Sequence, residues 1–178
     1  MDKLIPFSNL DLARVTNHRS GEIKFGEKMQ VVPKGTKSIA TFLQQSPARY
    51  VLLGIPEDIG VRANFGRPGS HSAWESAIKS IANIQFNKFC KGSELLVLGH
   101  IDVAEEMAEA ANLNYHNIAD RKKFSDLVMR IDKEVSHIIS LIVKADKIPI
   151  VIGGGHNNAY GNIKGTALAK GKPINAVN

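Results

Sequence analysis

The residues with the most chemical content lie together in VIGGGHNNAYGN, residues 151–162, where an apolar run ends on three glycines, one histidine and small polar residues. Glycines at the carboxyl end of a strand let the backbone turn tightly and approach a ligand closely. Ligands of open α/β sheets collect at those strand ends. His156, at the start of the following helix, would lie at its positive end, which disfavours imidazolium and favours the neutral ring that ligates metals. One imidazole does not make a metal site, so the residues alone leave His156 open between a metal ligand and a hydrogen-bonded structural histidine. The spacing from Gly153 to Gly161 does not match a dinucleotide fingerprint, and no Gly-Lys-Ser/Thr follows, which leaves phosphate binding at GGGHNN a minor alternative.

A second cluster, Arg62, Asn64 and Arg67, falls on the glycine-rich stretch GIPEDIGVRANFGRPGS after an earlier strand-like run. A guanidinium fork there could grip a carboxylate-bearing substrate; the same residues could instead tie down their own loop. Asn157 and Asn158 could cap a helix or touch substrate. Glu57 and Asp58 are adjacent, and neighbouring positions in extended chain do not face each other, so they do not read as a catalytic pair. His18, His71 and His100 lack partners at ligand spacing. Cys90 has no nearby His or Asp pattern and reads as an unreactive thiol, and Trp74 reads as the core anchor of a helix.

The elements that must position these residues follow a strand-helix alternation from about residue 49, the pattern of a mostly parallel sheet covered by helices. Residues 48–56, 93–101 and 147–155 read as buried strands. Trp74, Ala77, Ile78 and Ile81 mark a helix over 72–84, with Ser72 and Glu75 as a capping box. DVAEEMAEAANL reads as helical, with Asp102 and Glu105 in capping positions. Phe124, Leu127, Val128, Ile131, Val135, Ile138, Ile139 and Ile142 form one apolar stripe over five turns, with His137 off it. A polar-then-helical segment covers 156–171, and KPINAV is expected to open a fourth strand. Residues 1–48 are harder to read: GEIKFGEKMQVV could hold one or two short strands. The expected division is a segment of uncertain structure over 1–48 and the α/β unit over 49–178.

The 178 residues are 43% hydrophobic and 22% charged, the balance of a globular protein with one sizeable core. No apolar run approaches the ~18 residues of a membrane span, so a membrane role is not expected. The start of the chain lacks a basic region followed by a long apolar one, and a single cysteine suits a reducing compartment; the expected location is the cytoplasm. The net charge of +6 is spread along the chain, with only DRKKF clustered, and no nucleic-acid partner is expected.

IPIVIGGGHNNAYG resembles the first metal-binding motif of the ureohydrolases, the family of arginases, agmatinases and formimidoylglutamases. GIPEDIGVRANFGRPGSHSAW, NIQFNKF and LLVLGHIDV resemble, in the same order, further segments of that family, so the resemblance covers most of residues 49–178. It implies a three-layer α-β-α fold with a mostly parallel sheet, and hydrolysis of a C–N bond of a small amidine or guanidine at two Mn²⁺ ions, with His156 as one ligand. Gly155 replaces the aspartate of the arginase form of the motif and Asn157 its serine. The Gly-Gly-Gly-His form resembles the formimidoylglutamase branch and implies N-formimidoyl-L-glutamate as substrate. The family's second motif, Asp-x-His-x-Asp, would follow a strand such as INAVN. The chain therefore reads as the front half of such an enzyme, with the other ligands beyond Asn178, no catalytic residue of its own, little metal bound and no hydrolysis by these residues alone. An exposed half-sheet implies self-association. The alternative from a different class is a non-catalytic binding or oligomerisation module of the same fold.

Overall fold

A computed structural model of the protein describes residues 3–177. The chain opens with β1 (Leu4–Pro6) and α1 (Asn9–Val15), where Ser8 and Asp11 form a reciprocal capping box: each side chain accepts from the other's backbone N–H. A 3₁₀ turn (Phe25–Lys28), β2 (Gln30–Val31) and α2 (Ile39–Gln45) follow. The stretch 21–32 thus contributes one two-residue strand, together with an isolated bridge from Lys24 to Gln85. Then come β3 (Tyr50–Gly54), α3 (Ile59–Ala63), α4 (Ala73–Ala82), β4 (Leu95–Ile101), α5 (Ala104–Ala111), α6 (Ile118–Lys144), β5 (Ile148–Ile152) and α7 (Asn158–Lys170).

The strands form one sheet in the order β1-β4-β3-β5, with β2 also paired to β4. Only β1 runs antiparallel; β2, β3 and β5 are parallel to their neighbours. Residues 3–48 therefore supply two strands of the same sheet, both laid on β4. Side chains along β3 and β4 alternate between faces, as the period of a strand requires. Val51, Leu53, Leu96 and Leu98 enter one core with α2, α5 and α6, while Leu52 and Val97 enter another with Phe7, Phe25, Trp74 and Ile78. Helices cover both faces of the sheet, which makes the three layers.

The long apolar stripe is the face that α6 buries: Phe124, Leu127, Ile131, Val135, Ile138, Ile139 and Ile142 are all at most 2% exposed. Asn117 begins the helix by accepting from the Ala119 N–H. α7 packs on α6 through Gly161 and Gly165; a Cβ at these positions would lie 2.7 Å from Val135 and 2.5 Å from the Ser136 carbonyl. That close seam turns Tyr160, Ile163 and Leu168 of α7 outward.

Two local expectations change. Ser72 does not cap α4: its hydroxyl donates to the Gly69 carbonyl instead, because the chain enters the helix through a 3₁₀ turn at 70–72. KPINAV, residues 172–177, is not a strand; among the described residues no neighbouring strand takes up its backbone groups. No helix of the described residues is long and apolar enough to cross a membrane.

Candidate functional site

The parallel strands β3, β4 and β5 bring their carboxyl ends to the same side of the sheet, and the loops after β3 and β5 meet there. The turn after β5 is possible because Gly154 has φ +78, and a Cβ on it would lie 2.0 Å from the Asn158 amide nitrogen. His156 projects from this turn as an exposed residue at a cleft of about 430 Å³, which Asn162, Thr166 and the 174–177 segment also line. Its carbonyl accepts from the Ala159 N–H as α7 begins. Among the described residues no hydrogen bond or ion pair to its imidazole is found.

Beneath the turn lies Glu57, which is 0% exposed. Its Oε1 accepts from the Gly155 N–H at 2.8 Å, the Asn158 side-chain amide at 2.7 Å and the Asn157 side-chain amide at 3.3 Å. Its Oε2 accepts from the N–H groups of Ile59 at 2.6 Å and Gly60 at 3.2 Å. Asn158, expected at the substrate, is instead 3% exposed and committed to this carboxylate.

Asp58 diverges from Glu57, as adjacent positions must, and organises the loop that follows. Arg62 Nε lies 2.9 Å from its Oδ1, an ion pair lacking hydrogen-bond alignment. His71 Nδ1 lies 2.8 Å from its Oδ2, which also accepts from the Gly69 N–H. Burial alone would push the Asp58 carboxyl up; the His71 and Gly69 hydrogen bonds and the Arg62 charge outweigh it and hold the group below its ordinary value. Arg62 is further occupied by donating to the Ala110 carbonyl at 3.1 Å, and its guanidinium lies 5.9 Å from the centre of the Phe124 ring. Of the residues expected to grip substrate, Arg62 and Asn158 thus serve the protein's own structure, while Asn64 and Arg67 stand exposed on the loop.

Three further groups matter that the sequence did not single out. Asp132 of α6 is 9% exposed, and its Oδ1 is buried with no hydrogen-bond partner. Burial, and then the nearby Glu57 carboxylate, push it up to about 6, with Lys164 working the other way. Asn162, one turn along α7 from Asn158, also buries an unbonded oxygen. Phe65 adopts φ 58, unusual for a bulky residue, and stacks edge-on against Tyr115 with the Arg121 guanidinium 5.0 Å from its ring centre. Glu57 was legible only as an acid directly after Gly-Ile-Pro at a strand end; Asp132 left one signal, a carboxylate beside Ile131 on the buried side of an apolar stripe.

The donor set does not fit a two-metal centre. Among the described residues no group of three or more His, Cys, Asp or Glu side chains is placed to hold a metal ion. Glu57, the carboxylate under the turn, already receives five N–H donors.

The sequence profile described as the Arginase family matches residues 48–178. A formimidoylglutamase of Geobacillus sp. (strain WCH70) is 29% identical over 127 residues, 71% of this chain and 33% of that protein. A formimidoylglutamase of Psychrobacter cryohalolentis is 33% identical, over 68% of this chain and 33% of that protein. An arginase of Brevibacillus brevis is 23% identical, over 65% of this chain and 35% of that protein. The chain spans about a third of the length of the curated relatives it matches. No solved structure matches it significantly.

Proposed function

Because the chain belongs to the arginase family, we propose that it forms part of a hydrolase that cleaves a C–N bond of a small amidine or guanidine, with N-formimidoyl-L-glutamate as the substrate. The observation that carries this reading is the glycine turn at the carboxyl edge of the sheet, which leaves His156 exposed with an uncommitted imidazole at a cleft. The formimidoyl substrate is favoured by the Gly-Gly-Gly-His form of the turn, with Gly155 before His156, and by the formimidoylglutamases among the similar proteins. The family resemblance implies Mn²⁺, and His156 is the residue of this chain that would contribute to such a centre. A binuclear dication site needs several anionic oxygen ligands. The carboxylate at the turn, Glu57, is taken up by five N–H donors, so these 178 residues are proposed to be inactive on their own. On the substrate side, Arg67 and Asn64 are the groups free to meet a carboxylate.

Product analysis tests the substrate. Formamide released from N-formimidoyl-L-glutamate, by the longest protein that carries these residues and with no urea from arginine, supports the reading. Urea from arginine, with no formamide, replaces it with an arginase. Formamide from the 178-residue chain itself would refute its proposed inactivity, and neither product from any longer protein would favour the non-catalytic module.

A further inference from the structure

We propose that Glu57 is a positioning residue for His156: its buried carboxylate welds the loop after β3 to the turn after β5 and sets which residue of that turn faces outward. The three donors to Oε1 come from residues 155, 157 and 158, on both sides of His156. The turn is thus wrapped around one carboxylate oxygen, and His156 is the member left outside. The second oxygen is held by Ile59 and Gly60, at the start of α3, about a hundred residues earlier in the chain. One side chain therefore joins two loops that the sequence separates and that the sheet only brings to the same edge.

A carboxylate suits this position because it is acceptor-only on both oxygens, and all five partners are N–H groups. A glutamine would turn an NH₂ group toward one set of donors, leaving buried N–H groups facing N–H groups. An aspartate keeps the charge but is one methylene shorter, so it could not reach both loops. The role of His156 rests on the functional reading above; the role of Glu57 in holding the turn does not, and its test uses no metal and no substrate.

The test is hydrogen exchange resolved by residue on the 178-residue chain, for the parent protein, Glu57→Gln and Glu57→Asp. The proposal expects exchange to speed up about tenfold or more in Glu57→Gln at whichever of Gly155 and Ile59 faces the new NH₂ group, since that amide loses its acceptor. Amides of β4 and α6 should change much less than those of the turn, a split that general loss of stability would not produce. Glu57→Asp should restore at most one of the two loops. If Gly155 and Ile59 exchange both stay within about twofold of the parent in Glu57→Gln, or if Glu57→Asp keeps both loops at parent protection, the proposal is wrong. Should Glu57→Gln not fold, Asn158→Ala removes a single donor from Oε1. It should loosen residues 155–158 while leaving 59–60 protected, and an unchanged turn in that variant would overturn the proposal as well. Loss of Mn²⁺ chemistry at His156 would leave these results untouched, so the two readings fail separately.

Discussion

Replacing Asp132 with asparagine should stabilise the protein at alkaline pH, although it removes a buried ionisable group. Asp132 lies at the seam of α6 with α7, its Oδ1 buried and unbonded, with the Glu57 carboxylate nearby. Its carboxyl moves from an ordinary 3.8 to about 6. Moving the carboxyl that far, at 1.36 kcal/mol for each tenfold change in proton affinity, is worth about 3 kcal/mol, an upper figure because local relaxation reduces it. The folded state binds this proton more tightly than the unfolded chain does. Its contribution is therefore fully present below the unfolded value near 4 and is lost as pH rises through about 6. Asparagine keeps the shape and carries no charge, so it stands in for the protonated acid at every pH. Urea unfolding of the parent and Asp132→Asn at about pH 3.5 and about pH 8 measures the difference. The variant should match the parent at the acid value and exceed it by about 1–3 kcal/mol at the alkaline one. Equal destabilisation of the variant at both pH values would refute the reasoning, since Asp132 would then be ionised and satisfied in the folded protein.

The other expectations concern the same edge of the sheet. Arg62→Ala should cost about 3 kcal/mol, because it strands the buried Asp58 carboxylate, whereas Arg67→Ala should stay within about 0.5 kcal/mol; thermal melts separate the two. Asp58 is held low, so its stabilising contribution is present above the ordinary 3.8 and disappears as pH falls below it; His71→Ala should shrink that acid-side loss in a pH series of unfolding curves. Gly154→Ala should cost about 2 kcal/mol or more, measured by urea unfolding, as it combines a left-handed backbone with a contact on Asn158. β5 is an edge strand with Ile148 and Ile150 at least 40% exposed, so light scattering should show concentration-dependent self-association that Ile150→Lys reduces. The Ile148 N–H donates inward to the Arg49 carbonyl, so the next position, Pro149, turns outward and offers no donor, which makes the apolar faces the expected contact.

What the sequence showed of the fold followed from hydrophobic period. The α6 stripe and the three parallel strands were legible because each buries a continuous apolar face, and burial leaves a regular spacing. The segment 172–177 has strand composition but no strand, because a strand is completed by the ladder beside it. The site was legible where its chemistry is local: the glycines and His156 are consecutive, and so are the residues of the loop after β3. Glu57 and Asp132 were not, because their significance lies in partners from elsewhere. Glu57 meets groups 98–101 residues away, and Asp132 is perturbed by a carboxylate on a different element. Arg62 is the opposite case: its type and position suit a substrate clamp, while Asp58, Ala110 and Phe124 are the neighbours it contacts.

The account turns on His156 as the residue this turn exists to present. The most direct measurement is the Mn²⁺ content at saturation of the longest protein carrying these residues, with His156 intact and as His156→Ala, each checked for unchanged folding. Two ions are expected in the parent, with the loss of at least one in the variant. Equal Mn²⁺ content in both would contradict it and leave the turn a structural feature of the sheet edge.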